Sequence, residues 1–256
     1  MIIDESKYLV KIAQTEAEIF AAQRLRYRVF VTEMGATVSD ECHRAKREYD
    51  RFDPYFDHLI LIDRDIDDPH ENVVGVYRLL PSETAAKGLG FYGASEYDFA
   101  PFTNSTRKSV ELGRSCLAQG HRGGCALHLL WQGLGDYVAQ NQVEILFGVA
   151  SFAGVDPQIY AQALSHLHHN HLAPECIRPV ARGDSAVDMN ILPRDQVDRL
   201  AAMRQMPSLI KSYLRLGGVV GAGAYVDDAF NTIDVCMIMD TQKMPKTQRS
   251  RYAKGA

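Results

Sequence analysis

The chain has 256 residues, of which 46% are hydrophobic and 23% are charged, a composition typical of a soluble globular protein with a sizeable core. Its net charge of −4 argues against nucleic acid as a partner, since nucleic-acid-binding proteins are usually basic. No apolar run reaches about 18 residues, so no membrane-spanning helix is predicted. Charged residues at positions 4, 5 and 7 interrupt the N-terminus, so no signal peptide is predicted either.

The five cysteines are odd in number and form no Cys-x-x-Cys pair, which favours reduced thiols and a cytoplasmic protein. After Asp240 the chain carries five basic residues and no acidic one, namely Lys243, Lys246, Arg249, Arg251 and Lys254. Such a tail is either solvated and flexible or makes contact with anionic lipid or an acidic protein.

The first predicted elements are a strand over residues 7–14 and a helix that continues to about Met34. Thr15 and Glu18 form a capping-box pattern at the start of this helix. Its inward positions are Ile19, Ala22, Leu25 and Val29. Arg24 and Arg28 lie one turn apart on the other face, where they form a solvated basic face or a pair that binds a carboxylate or phosphate.

Residues 35–56 are predicted to be a polar loop. Asp50 and Asp53 near its end are either ordinary turn formers or two carboxylates directed at one site. Residues 58–63 and 73–80 then predict an antiparallel pair of strands, with Arg78 near the end of the second. Residues 81–107 contain three glycines and several aromatic residues, and they are predicted to be a long lid or binding loop with a mobile tip.

Residues 108–155 predict a strand, a glycine-bearing turn, a helix and a second strand, and the rest of the chain is organised around them. Glu111 and Arg114 lie on the first strand, where ionised groups need a partner or water. The turn from Gln119 to Gly124 leads into a helix with apolar residues at spacings of three and four, Leu127, Leu130, Trp131, Leu134 and Val138. Such a turn is either a plain connection or an anion site made by free N–H groups.

Asp156-Pro157 predicts the start of another helix, with Ile159, Ala163 and Leu167 on one face. Four histidines end this helix, at positions 166, 168, 169 and 171, but no Cys, Asp or Glu accompanies them, so a polar helix end is favoured and no metal ligand is assigned. A further helix is predicted over residues 207–216, closed by Gly217-Gly218, and residues 218–240 predict a terminal pair of strands.

Short segments along nearly the whole chain, in the same order, resemble the GNAT-fold bacterial ornithine N-alpha-acyltransferases. They are residues 25–30, 50–57, 76–79, 111–114, 122–131, 150–152, 207–217 and 230–235. The resemblance implies an α/β (α+β) fold with a mixed, mostly antiparallel central sheet flanked by helices. It also implies a single domain over residues 1–240, with a family-specific extension from about residue 172 and a flexible basic tail over residues 241–256.

The activity implied by this resemblance is transfer of a 3-hydroxy fatty acyl group from acyl carrier protein to the alpha-amine of L-ornithine, which gives lyso-ornithine lipid. The donor would be a phosphopantetheine thioester, and no tightly bound cofactor is expected. The first five segments also resemble acyl-homoserine-lactone synthases. Another acceptor (glycine, lysine or S-adenosylmethionine) therefore stays open, as does a non-catalytic module that binds an acyl carrier or a lipid surface. The expected location is the cytoplasm, with peripheral contact at the inner, anionic face of the membrane.

The site residues follow from the resemblance together with the charge pattern. Because an amine attacks a thioester only as the free base, Glu111 is the predicted general base, and Arg114 and Asp50 complete the catalytic set. The predicted substrate-binding residues are Arg28, Asp53, Arg78, Ser151 and Phe152. The residues predicted to hold the phosphate of the donor are Gly120, Arg122, Gly123 and Gly124.

Overall fold

The computed structural model describes residues 7–122 and 125–244. The described residues form eleven β-strands: β1 (Tyr8–Ile12), β2 (Asp57–Asp63), β3 (Val73–Pro81), β4 (Tyr97–Asp98), β5 (Ser109–Leu117), β6 (Ile145–Ala153), β7 (Val180–Ala181), β8 (Ala186–Val187), β9 (Val219–Val220), β10 (Ala224–Asp227) and β11 (Thr232–Asp240).

The same residues form eight α-helices: α1 (Glu16–Arg26), α2 (Asp40–Ala45), α3 (Ser82–Lys87), α4 (Ala100–Thr103), α5 (Ala126–Asn141), α6 (Ala161–His171), α7 (Arg199–Gln205) and α8 (Ser208–Arg215). A π-helix covers Tyr27–Glu33, and six 3₁₀ turns cover Asp53–Tyr55, Tyr92–Ser95, Gln119–His121, Pro157–Tyr160, Glu175–Ile177 and Arg194–Gln196.

The described residues divide into two compact units, of which the first takes residues 7–81 and the described part of 112–142. Its strand order is β1-β2-β3-β5, and the β1–β2 and β2–β3 ladders are antiparallel, as the sequence predicts. Helices α1 and α5 pack on these strands. The apolar stripe of α1 explains its packing, because Ala22, Leu25 and Val29 are all buried against β2 and β3 residues.

The predicted capping box is confirmed, since the Thr15 side chain accepts from the Glu18 N–H and the Glu18 carboxylate accepts from the Thr15 N–H. The predicted helix to about Met34 is confirmed in its extent, although its C-terminal part is not α-helical. The α-helical pattern ends at Arg26 and continues as the seven-residue π-helix. A π-helix is wider than an α-helix, so side chains beyond Arg26 no longer follow the 3.6-residue spacing used to predict their faces.

The second unit takes residues 82–111 and 143–244, and its strand order is β5-β6-β11-β10-β8. Strand β5 therefore contributes Ser109–Glu111 to this unit, where they pair in parallel with Ile145–Phe147. The β6–β11 and β10–β11 ladders are antiparallel, so the mostly antiparallel sheet is confirmed. Four mutually packed rings, those of Phe91, Phe99, Phe102 and Phe147, form an aromatic core in this unit.

Two segments predicted to be loops contain regular structure. Residues 35–56 include α2, because the Ser39 hydroxyl caps the helix by accepting from the Cys42 N–H and Cys42 is buried. Residues 81–107 include α3, β4 and α4, and their aromatic side chains fill the core of the second unit, so the prediction of an irregular loop is wrong, while its mobile tip and its role as a lid or binding segment stay predictions. Ile159 was also assigned to a core face and is instead 61% exposed, because the first turn after Pro157 is a 3₁₀ turn.

Several predictions fall outside the described residues. Gly123, Gly124 and most of the basic tail belong to this group, and only Lys243 of the tail's basic residues is described. Within the described ranges, no helix is long and apolar enough to cross a membrane. The predicted domain limits at about residue 172 and at residue 240 stay predictions.

Candidate active site

Six charged side chains of the first unit form one buried network, which we call the arginine–carboxylate cluster: Arg26, Glu48, Asp50, Asp53, Arg78 and Arg114. It contains three cations and three anions. Four of the six were predicted as site residues, namely Asp50, Asp53, Arg78 and Arg114. Arg78 contacts Asp50 and Asp53, while Arg26 and Glu48 connect Asp53 with Arg114.

Arg26, the last residue of α1, is fully buried at the centre of this cluster. Its Nε donates to Glu48 Oε2 at 2.5 Å, and its Nη1 and Nη2 donate to the two carboxylate oxygens of Asp53 at 2.6 and 3.1 Å. The sequence analysis selected the exposed neighbours Arg24 and Arg28 and missed Arg26. The signal was present, because a position four residues after Ala22 belongs to the apolar stripe of the helix.

The two carboxylates bound by Arg26 are ionised at neutral pH. Burial alone would raise the pKa of Glu48, but the guanidinium groups of Arg26 and Arg114 outweigh it and lower that pKa to about 2. Burial likewise opposes ionisation of Asp53, and Arg26 together with Arg78 holds the pKa of Asp53 well below its usual range. The cluster therefore consists of fixed charges, which is suited to orienting groups and not to exchanging protons.

Arg78 lies on β3 with no exposed surface, and it joins the two aspartates that the sequence predicts to act together. Its Nη1 donates to Asp50 Oδ2 at 2.8 Å and lies 3.4 Å from Asp53 Oδ2. The guanidinium also stacks on the ring of Phe56 at 4.3 Å from the centroid. Burial and the nearby Arg26 lower the pKa of Arg78, although it remains a cation at physiological pH.

Arg114 lies on β5 in a left-handed backbone conformation with φ of +51°, which is rare for a residue other than glycine. Its Nε donates to Glu48 Oε1 at 3.1 Å. The preceding residue, Gly113, lies close to other members of the site, because an added Cβ would make ordinary contacts with Arg78 Nε and a Phe56 ring carbon, both 4.0 Å away. A residue other than glycine in a left-handed conformation is typical of functional sites.

His58 on β2 is a further residue that the sequence analysis missed. It pairs in register with Arg78, is 2% exposed, and its Nε2 lies 3.2 Å from the carbonyl oxygen of Asp53. Burial and the charge of Arg26 lower the pKa of His58, so the ring is neutral near pH 7. Its Nε2–H donates to that carbonyl and ties the Asp53–Tyr55 turn to β2.

Arg28 was predicted to bind substrate, but it lies in the π-helix and pairs with Glu71 on the surface of the first unit. Its side chain is 38% exposed. The described contacts do not connect it with the arginine–carboxylate cluster. Arg28 follows Arg26 by two residues, which is about 200° around a helix, so the two side chains leave opposite sides of it. Its role in substrate binding stays a prediction.

Glu111, the predicted base, is 4% exposed and lies in the second unit. Its Oε2 accepts from the Tyr92 N–H at 2.6 Å and its Oε1 from the Gly93 N–H at 2.7 Å. Two backbone N–H groups at the start of the Tyr92–Ser95 3₁₀ turn therefore bind the carboxylate. Gly93 is required there, since a Cβ would lie 3.0 Å from Oε1. These two N–H donors fix the position and orientation of the carboxylate.

Ser151 and Phe152 are neighbours on β6 and therefore point to opposite faces of the sheet. Ser151 shares the face of Phe147, the register partner of Glu111, and it is exposed about 13 Å farther along the strand. Phe152 is fully buried on the other face, with its ring 4.9 Å from that of Tyr160. The structure gives Phe152 a packing role, and its predicted contact with substrate stays untested.

The predicted phosphate turn is described only in part. Gly120 lies in an exposed 3₁₀ turn with no atom within 4 Å of an added Cβ. Arg122 donates to the Leu117 carbonyl at 3.0 Å and to Glu33 at 2.6 Å. Helix α5 then begins at Ala126 with no side-chain cap, so its first N–H groups are not satisfied by a capping side chain. These features suit an anion but do not identify it.

One group of potential cation ligands was missed. The carboxylates of Glu96, Asp227 and Asp234 lie within 4.8 Å of one another in the second unit, and two of the three are buried. They are far apart in the sequence, so no spacing pattern reveals them. The histidine patch forms no comparable group with other ligand residues among the described residues.

Comparisons with known proteins bear on the fold and the family of this chain. A family model of the acetyltransferase (GNAT) domain matches residues 25–132, which include the whole arginine–carboxylate cluster and Glu111. Among solved structures, a CoA-dependent acyl-homoserine lactone synthase, BjaI, solved with SAM and isopentyl-CoA, superposes with a TM-score of 0.52 at 12% identity, over 95% of this chain and 86% of that one. That likeness concerns the fold.

Full-length relatives are more similar. The chain is 48% identical over 248 residues to the L-ornithine N(alpha)-acyltransferase of Rhodobacter capsulatus, which covers 96% of this chain and 95% of that protein. It is 42% identical over 245 residues to the protein of the same name from Agrobacterium fabrum, covering 94% and 84% of the two chains. The chain therefore adopts the GNAT fold and belongs to the L-ornithine N(alpha)-acyltransferase family.

Proposed function

We propose that this protein transfers a 3-hydroxy fatty acyl group from the phosphopantetheine thioester of acyl carrier protein to the alpha-amine of L-ornithine, giving lyso-ornithine lipid. The observation that carries the proposal is the 48% identity, along almost the full length of both chains, to a protein named for acylation of that amine. The acyl carrier and the 3-hydroxy acyl chain follow from the resemblance given above and are the finer part of the proposal.

The reaction needs one proton acceptor. The neutral alpha-amine attacks the thioester carbonyl carbon and forms the C–N bond, and the intermediate then expels the phosphopantetheine thiolate as the C–S bond breaks. The attacking nitrogen loses a proton during this sequence. Glu111 is proposed to accept it, directly or through a water, because two backbone N–H groups hold its carboxylate in a fixed position.

The oxyanion of the intermediate requires donors near the reacting carbon. Backbone N–H groups over residues 113–117 of β5 are the proposed donors, and the left-handed backbone of Arg114 within this segment supports this assignment. One good donor of this kind contributes about 3 kcal/mol to stabilisation of the transition state. The Gly120 turn, Arg122 and the uncapped start of α5 are proposed to hold the phosphate of the donor.

The arginine–carboxylate cluster is proposed to hold substrate-contacting side chains in place. Its fixed charges lock Asp50, Asp53 and Phe56 against β3, so these residues present one rigid surface to a substrate. Asp50 and Arg114, whose side chains are 24% and 13% exposed, are the members proposed to contact substrate, and fully buried Arg78 holds Asp50 in place. Arg26 and Glu48 act through them, since both are buried and engaged with other members.

The test is thiol release from 3-hydroxyacyl carrier protein with ornithine, glycine, lysine and S-adenosylmethionine supplied in turn, and with the matching acyl-CoA as a second donor. Release with ornithine and the carrier substrate supports the proposal. Release with another acceptor or only with acyl-CoA would change the substrate assignment. No release under any condition would favour a module that binds an acyl carrier without catalysis.

Location is also a proposal. The product is a single-chain amphiphile, so the protein is proposed to work in the cytoplasm with peripheral contact at the inner face of the membrane. Separation of cell extract into supernatant and membrane pellet, at low and at high salt, tests this placement, because an electrostatic contact weakens as salt is added.

A further inference from the structure

Three carboxylates from separate parts of the chain meet in the second unit, and we call them the acidic triad: Glu96, Asp227 and Asp234. One oxygen of each lies within 4.8 Å of the others, and both Glu96 and Asp234 are buried. Like charges held this close oppose each other's ionisation, so a cation bound among them would stabilise the group. Acidic residues also cluster without any ligand, and the surroundings of the triad therefore matter.

A buried hydroxyl group lies on the same face of the sheet as the acidic triad. Thr232 on β11 is the register partner of Asp227 on β10, and Asp234 follows Thr232 by two residues, so all three side chains project from one face. Thr232 is 3% exposed, yet its Oγ1 has no hydrogen-bond partner within the described ranges of the chain. A buried hydroxyl normally has a partner, because burial without one is costly. A ligand with N–H groups, bound among the carboxylates, would supply it.

The proposed base lies on this face too. Glu111 is the register partner of Phe147 on β6, and Ser151, four residues farther along β6, is the register partner of Asp234. Register partners share a face, as do residues at even spacing along a strand, so Glu111 and Asp234 lie on one side of the sheet. Ser151 is exposed, which gives this face access to solvent beside Asp234.

The Tyr92–Ser95 turn connects the base with the acidic triad. Two N–H groups of the turn bind the Glu111 carboxylate, and Glu96, which follows the turn, donates its own N–H to the Gly93 carbonyl at 3.0 Å. Both acids also act on one thiol, because burial and the charges of Glu111 and Glu96 raise the pKa of Cys236 well above its usual value. The base and the triad are therefore neighbours within one unit.

We propose that the acidic triad and Thr232 bind the side-chain ammonium group of the acceptor amino acid while its alpha-amine faces Glu111. This rests on the proposed function, because L-ornithine carries a second amine at the end of its alkyl chain. An ammonium group has three N–H donors, so it can bind several acceptors at once through charge-assisted hydrogen bonds. Glycine has no such group, and the triad therefore selects ornithine over glycine.

The ligands present suit an ammonium group better than a metal ion. Ca²⁺ takes about six to eight oxygen ligands, whereas three carboxylates and one hydroxyl already satisfy the donors of an ammonium group. Arg182 also approaches this part of the unit, but its guanidinium donates to the Ala94 carbonyl. Acidic side chains remain in excess even when Arg182 is counted.

Thiol release by the full chain tests the proposal, with ornithine and norvaline compared as acceptors. Norvaline has the same carbon chain without the side-chain amine, so the wild-type protein should strongly prefer ornithine. Asp227→Asn should raise KM for ornithine roughly tenfold or more and change kcat much less, because it removes a contact to the ammonium group and none to the reacting atoms. Asp228→Asn is the matched control, since it removes the same charge from the adjacent, exposed position. Equal use of the two acceptors by the wild-type protein, or equal effects of the two substitutions, would overturn the proposal.

Thr232→Val is a second variant that keeps the shape of the side chain and removes the hydroxyl. It should raise KM for ornithine roughly threefold and leave the melting temperature unchanged or higher, because the unliganded protein loses only a hydroxyl without a partner among the described residues. An unchanged KM together with a lower melting temperature would show that the hydroxyl serves the fold and not the ligand.

Stabilisation by ornithine separates this proposal from the proposed function, because it requires no acyl donor. Ornithine should raise the melting temperature of the wild-type protein and of Asp228→Asn, but not that of Asp227→Asn. A wild-type protein that ornithine stabilises but that releases no thiol would contradict the proposed function and support the ammonium site. Stabilisation by Ca²⁺ that Asp227→Asn abolishes, without any response to ornithine, would assign the triad to a metal ion and overturn the proposal.

Discussion

Arg26 provides the most stringent test of the arginine–carboxylate cluster, through the substitution Arg26→Met. Methionine fills a similar volume but cannot donate to Glu48 or Asp53, so the variant keeps two buried carboxylates without the cation that contacts both. Breaking a buried ion pair by removing one partner destabilises a protein by about 3–5 kcal/mol. For a chain of this length the corresponding fall in melting temperature is roughly 6–20 °C.

The pH dependence of this loss has a definite sign. In the wild-type protein the folded-state pKa of Glu48 is about 2, below the unfolded value, so its contribution to stability is present above the unfolded pKa and is lost as pH falls through the folded one. Without Arg26, the pKa of each carboxylate should rise from its wild-type value, because burial is then opposed mainly by Arg78 and, at Glu48, by Arg114 as well. Lower pH then protonates these carboxylates in the variant and removes their buried negative charge. The difference in the free energy of unfolding between wild type and Arg26→Met should therefore be smaller at pH 5 than at pH 7.

The assay is thermal and urea unfolding of both proteins at the two pH values, with Arg28→Met as the control. Arg28 makes one ion pair at the surface, with a side chain 38% exposed, so its loss should change stability by less than about 1 kcal/mol. Equal effects of the two substitutions, or a difference that grows at pH 5, would refute the reasoning about the cluster.

Three further expectations concern the chemistry. Glu111→Gln should lower the rate of acyl transfer at least ~100-fold, and a wild-type rate would show that Glu111 is not the base. The variant should also be less stable by about 1–3 kcal/mol in urea unfolding, because the NH₂ of the new amide must face one of the two backbone N–H donors. Arg122→Gln should raise KM for the acyl carrier several-fold while Glu33→Gln, which removes only its ion-pair partner, should not; equal effects would assign Arg122 a structural role. In native alkylation followed by peptide mass mapping, exposed Cys176 should react before buried Cys116 and Cys236. Burial raises the pKa of the Cys116 thiol to about 12 and that of Cys236 well above its usual value, and early labelling of either would contradict its buried position.

The elements that the sequence predicts well are those with a strong local signal. The capping box at Thr15, the proline before α8 and the apolar spacing of α5 all reflect interactions within a few residues. The antiparallel strand pairs follow from similar local patterns. The sequence predicts poorly where tertiary packing determines the secondary structure. In residues 81–107, for example, the aromatic side chains have no periodic spacing, yet they fill the core of the second unit.

The candidate site was predictable in part for the same reason. Asp50, Asp53 and Arg78 stood out as charges next to aromatic or apolar residues, and the structure joins them. Arg26 was concealed by two flanking arginines, and only its place on the apolar stripe distinguishes it. The hydrogen bonds from backbone N–H groups to Glu111 could not be predicted. The Gly93 donor lies eighteen residues away in the sequence, and a backbone N–H is present whatever the side chain.

The balance of three positive and three negative charges in the arginine–carboxylate cluster also constrains how this protein can diverge from its relatives. A neutral substitution at any one position would leave an opposite charge buried, so a tolerated change requires a second change at a contacting position. Arg26 contacts two carboxylates and Glu48 contacts two arginines, which links replacements across α1, the segment before β2, and β5. We therefore expect these positions to be inherited as a block, with covariation between partners wherever the block has been altered.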